Sequence, residues 1–122
     1  MKEQEFKQVL RFLETDFSLS MTKFEQSTQF FGNIIAEYTN DETTVRVVID
    51  RSIPEIELSY RGSEYFTFES LLIKIGASPT VTITYRDNYD SFGQRVGTDL
   101  HAQAAALHNH LAAIQQYFLT IQ

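Results

Sequence analysis

The chain contains no cysteine among its 122 residues. Structural disulfides, thiolate metal sites and a cysteine nucleophile are excluded together. Its five glycines stand scattered at 32, 62, 76, 93 and 97, with no Gly-x-Gly-x-x-Gly and no Gly-Lys-Ser/Thr. A loop that cradles phosphates with consecutive backbone amides therefore has no sequence to form from. Basic residues are also few: ten Lys and Arg against sixteen Asp and Glu, a net charge of −6. Binding nucleic acid requires clustered cations to neutralise phosphates, whereas here they alternate with acids, as in Asp50-Arg51 and Arg86-Asp87. Neither nucleic acid nor an anionic membrane is an expected partner. Met1 is followed by Lys2, Glu3, Gln4 and Glu5, and no apolar run of signal-peptide type follows. The expected location is cytoplasmic.

What remains is an ordinary globular composition, 43% apolar and 21% charged. The length fits one domain, taken as 1–122. Phe6, Val9, Leu10, Leu13 and Phe17 recur at steps of three and four and predict an amphipathic helix over 2–16. The period then changes. Residues 19–25 form a weak strand candidate and 31–39 a stronger one. After Asn40-Asp41-Glu42, residues 43–50 alternate with β-branched side chains, placing Val45, Val47 and Ile49 on one face. Two such runs joined by three polar residues predict an antiparallel hairpin.

Pro54 cannot donate to a ladder, so a break is expected at 51–54. Residues 55–61 alternate most clearly: Ile56, Leu58 and Tyr60 face one way, Glu55, Glu57, Ser59 and Arg61 the other. One packed and one wet face follow. A short helix over 69–75 closes at Gly76. Residues 80–85 have strand propensity, and 86–97 are expected to be loop. Thr98-Asp99 offers an N-cap for a helix over 99–121, whose apolar seam is Leu100, Ala104, Leu107, Leu111, Ile114, Phe118 and Ile121. The fold class expected is α+β: an antiparallel meander of three to five strands, with an N-terminal helix and a long C-terminal helix packed on one face.

Motifs for catalysis are missing. His101, His108 and His110 all fall on the last helix, but none is four residues from another, the step a helical zinc pair needs. No serine sits in a Gly-x-Ser-x-Gly elbow. Asp87, Asn88 and Asp90 are only a fragment of a calcium loop. Glu55 and Glu57 share a strand face, where one wet environment would not split acid and base roles. No cofactor, metal or catalytic residue is expected, and the chain is read as a non-enzyme.

Three stretches carry a resemblance: Phe12-Leu13-Glu14-Thr15-Asp16-Phe17; Ala36-Glu37-Tyr38-Thr39-Asn40 with Val45-Arg46-Val47-Val48-Ile49-Asp50-Arg51; and Leu107, Leu111 and Tyr117-Phe118-Leu119 on the terminal helix. In hydrophobic spacing and short words the chain resembles a loose group of small bacterial α+β proteins, some of them immunity proteins of toxin systems. The resemblance implies a cytoplasmic protein that binds and blocks a toxin, and it carries no catalytic residues. If the partner is a basic toxin domain, Asp41, Glu42, Glu55, Glu57 and Glu64 are the expected electrostatic footprint. Two alternatives stand beside this one. The chain is a homodimer associating through its uncharged C-terminal helix, or a small enzyme with a pocket lined by His101, His108 or His110.

Overall fold

The computed structural model describes residues 2–27, 33–51, 53–77, 88–89, 95–96 and 100–121. Two short helices, α1 (Glu3–Val9) and α2 (Arg11–Thr15), lead into β1 (Ser20–Gln26), β2 (Ile34–Thr39), β3 (Thr43–Asp50), β4 (Ile53–Tyr60) and β5 (Phe66–Thr67). Then come α3 (Phe68–Lys74), β6 (Asn88–Tyr89), β7 (Arg95–Val96) and α4 (Leu100–Thr120). The first five strands form one sheet in sequence order, each antiparallel to the next. The fold is α+β, a five-stranded meander with helices on one face.

Alternation explains the layering. Ile34, Ala36 and Tyr38 of β2, Val45 and Val47 of β3, and Ile56 and Leu58 of β4 are buried on one side, each at 1% exposure or less. Register aligns them in rows, Ala36 with Val47 and Val47 with Ile56. The α4 seam closes over this face: Leu100, Ala104, Leu107, Leu111, Ile114 and Phe118 are all buried. Near one end of the helix, Gln103 Nε2 donates to the Pro54 carbonyl at 2.9 Å. Near the other, the Phe118 ring stacks on Tyr60 at 5.5 Å. The helix thus runs the length of the sheet. Ile121, expected to extend the seam, lies past the helix end and is 45% exposed.

The N-terminal helix differs from expectation. It breaks at Leu10, where the Leu13 amide donates to the Leu10 carbonyl at 3.0 Å, a tighter step than an α-helix uses. Phe6, Leu10 and Leu13 are all fully buried on either side of the break. Ser18, at φ +58°, then reverses the chain into β1.

Pro54 sits inside β4, paired with Ile49, rather than breaking the strand. A residue's amide and carbonyl point to the same flank of a strand. The Pro54 carbonyl reaches Gln103, on the flank where β5 pairs only with Glu57 and Leu58, so among the described residues no strand there requires an amide from it. Ser59 keeps the face expected for it but is not wet there, at 2% exposure. Continuing the Glu57–Thr67 and Leu58–Phe66 register puts Tyr65 across from it.

The short helix matches its reading closely. Thr67 Oγ1 caps it by accepting from the Ser70 amide at 3.1 Å. At its end Gly76, with φ +77°, and Ala77 donate to the carbonyls of Ile73 and Leu72. Within the stretch expected to be loop, Asn88–Tyr89 pairs with Arg95–Val96 as a two-stranded ladder. The strand expected over 80–85 and the cap at Thr98-Asp99 lie outside the described residues. Among the described residues, no helix is long and apolar enough to cross a membrane.

Candidate partner-binding face of the sheet

The sheet's other face is not covered by the described helices, and its side chains follow from strand parity. Every residue between two core positions points to it. β2 contributes Ile35, Glu37 and Thr39, β3 contributes Thr44, Arg46, Val48 and Asp50, and β4 contributes Glu55, Glu57 and Ser59. Charge along one row alternates: Glu37 is opposite Arg46, and Arg46 is opposite Glu57. Opposite charges directly across an antiparallel ladder attract.

The side chains use that placement. Arg46 Nε and Nη2 both donate to Glu57 Oε1, at 3.2 and 3.0 Å. Tyr65, from the link between β4 and β5, lays its ring over the guanidinium, 3.8 Å from Arg46 Cζ to the ring centroid. Its hydroxyl donates to Glu37 Oε1 at 3.1 Å. Desolvation by burial, then the hydrogen bond and charge of Glu37, push the Tyr65 phenol above its ordinary pKa, while Arg46 pulls the other way. The phenol is thereby held in the form that donates. Beside this quartet the hydroxyls of Thr22, Thr39 and Thr44 form a chain, 3.2 Å from Thr22 to Thr39 and 3.4 Å from Thr44 to Thr39.

The expected acidic footprint is divided by the structure. Asp41 and Glu42 lie in the β2–β3 turn and line an open depression of about 550 Å³ with Ser18, Ser20, Thr39 and Asn40. Glu42 also meets Arg61 at 3.7 Å, and Glu64 follows in the same corner of the fold. Glu57 is in the quartet, at mid-strand. Glu55 lies towards the opposite end, lining a smaller hollow with Val48, Asp50 and Ile53. Only Glu55 and Glu57 stand on the sheet face, and the five acids do not converge on one point.

The histidines are spread as well. His108 stacks on Phe12 at 4.4 Å and its Nε2 lies 2.7 Å from Asp16 Oδ2, joining α4 to α2. His101 borders a depression of about 240 Å³ with Glu5, Gln8 and Val9, none of which carries a hydroxyl nucleophile. Among the described residues, no three His, Asp or Glu side chains gather as a metal site would require.

Three members of the quartet, Glu37, Arg46 and Tyr65, were not among the expected site residues. Glu37 and Arg46 were within reach, because the hairpin register read from the turn puts them opposite one another. Tyr65 carried no such signal, since it follows the Gly62-Ser63 turn outside any alternating run. The chain matches no protein-family model, no curated protein and no solved structure.

Proposed function

We propose that this chain is a non-catalytic protein-binding domain that docks its partner on the open sheet face, and that it acts as an immunity protein neutralising a basic bacterial toxin. The observation that carries the reading is the Glu37–Arg46–Glu57–Tyr65 quartet on that face. Arginine and tyrosine are favoured anchors of protein interfaces. Here both are already held by neighbours, so little rotamer freedom remains to be lost on docking. The strand positions on this face, β1 included, hold five acids, Glu25, Glu37, Asp50, Glu55 and Glu57, against two bases, Lys23 and Arg46. Such a surface steers a cationic partner. Self-association through the C-terminal helix has less support, because the seam residues from Leu100 to Phe118 are taken up by the chain's own core.

Co-expression with the product of the neighbouring gene tests the reading. Stable co-purification is expected, with Arg46→Ala and Tyr65→Ala each weakening the complex about tenfold or more. His101→Ala, across the molecule, serves as the control. Affinity unchanged in both face variants would remove the open face as the site.

A further inference from the structure

β1 ends the sheet, and among the described residues no strand lies beyond it. A sheet edge presents backbone donors and acceptors to any strand of matching register. Which groups face outward follows from its pairing with β2. The Ser27 amide donates to the Asn33 carbonyl at 2.8 Å, and the Glu37 carbonyl, across from Lys23, turns towards β1 to accept from Thr22 Oγ1. The backbone of Lys23, Glu25 and Ser27 therefore points at β2, and the amide and carbonyl of Phe24, between them, point out of the sheet.

The side chains beside Phe24 are of opposite sign. Lys23 and Glu25 are both exposed, both on the open face, and among the described residues neither is in an ion pair. We propose that β1 pairs antiparallel with β1 of a second copy about a two-fold axis at Phe24. In this register the two Phe24 residues exchange both backbone hydrogen bonds. Lys23 of each copy falls opposite Glu25 of the other, in the closer, non-hydrogen-bonded type of pair. A two-fold contact uses one patch twice, so a single complementary pair in the sequence makes two in the dimer.

The bulge between Met21 and Lys23 limits the ladder to the second half of β1. The dimer is accordingly weak and concentration-dependent. The axis stands perpendicular to the sheet, so both helix layers lie on one side and both open faces on the other. The self-pairing does not depend on what docks on that face.

Sedimentation equilibrium from about ten micromolar to about one millimolar tests it. The unaltered chain is expected to shift from monomer to dimer. Lys23→Glu and Glu25→Lys each place like charges opposite one another twice, weakening dimerisation about tenfold or more. Mixed in equal amounts, the two variants restore opposite charges at both positions, and dimers return. Hydrogen exchange at the Phe24 amide gives a readout without substitution: it slows as the unaltered chain is concentrated. A chain that stays monomeric throughout overturns the proposal. So does dimerisation undiminished in either variant, a mixture no better than its components, or a Phe24 amide indifferent to concentration.

Discussion

The two faces of the sheet are built from alternate residues of the same strands, yet they obey different rules. On the helix-covered face the contacts are apolar and close-packed, and the polar groups present are exceptions. On the open face the contacts are polar and directional, with half-buried charges paired across strands. The difference teaches which face can be altered without unfolding. Burial sets the stability of the first, whereas exposed and half-exposed ion pairs contribute little to the second.

Breaking the covered face should have the largest effect. Leu107, fully buried on the seam of α4, is expected to cost about 3–5 kcal/mol when replaced by alanine, seen as a lower midpoint in urea unfolding. Gln103→Ala is expected to cost about 1–3 kcal/mol by the same measurement, because the Pro54 carbonyl loses its 2.9 Å donor in a buried setting.

Tyr38 sharpens the comparison with the opposite sign. It is fully buried, and among the described residues its hydroxyl has no hydrogen-bond partner. Tyr38→Phe is expected to stabilise by about 1 kcal/mol, raising the thermal midpoint by a few degrees. Burial, and then the charge of Glu14, push this phenol well above its ordinary value of 10.0. The folded chain therefore keeps the proton that the unfolded chain releases as pH rises past that value. Stability should fall above about pH 10 in the unaltered chain, and the Tyr38 part of that fall should vanish in Tyr38→Phe.

On the open face the effects on stability should be the smallest. Arg46→Ala is expected to cost below about 1 kcal/mol despite removing two hydrogen bonds and a stacked cation. Its signature lies elsewhere: the Tyr65 phenol should titrate higher still without Arg46, and lower in Glu37→Gln, read by carbon NMR of the labelled ring. A loss of several kcal/mol in Arg46→Ala would erase the distinction between the faces.

The covered face was the legible one. Val45, Val47, Ile56, Leu58 and the α4 seam through Phe118 could be read because burial selects residue type at a fixed period. So could Gly76, whose φ of +77° suits a residue without a side chain. The break at Leu10 carried no local signal, because Phe6, Leu10 and Leu13 keep the spacing of one continuous helical face across it. Pro54 misled because its missing amide matters only if a strand lies on that flank. The open face was half legible. Period two gave its members, but which acids meet a base depends on register, and Tyr65 enters from a turn that has no period.

The strand order has a consequence for how the chain reaches this structure. Each ladder of the sheet joins strands adjacent in sequence, so the meander can zip from one turn to the next with short loops to close. The joint between Asp16 and His108 instead spans 92 positions. The entropy of closing long loops therefore falls on α4, which is expected to dock after the sheet it covers. Because that entropy grows only logarithmically with length, doubling the chain between α3 and α4 should cost only about 0.6 kcal/mol of stability. The same insertion should speed unfolding while leaving the rate of refolding nearly unchanged.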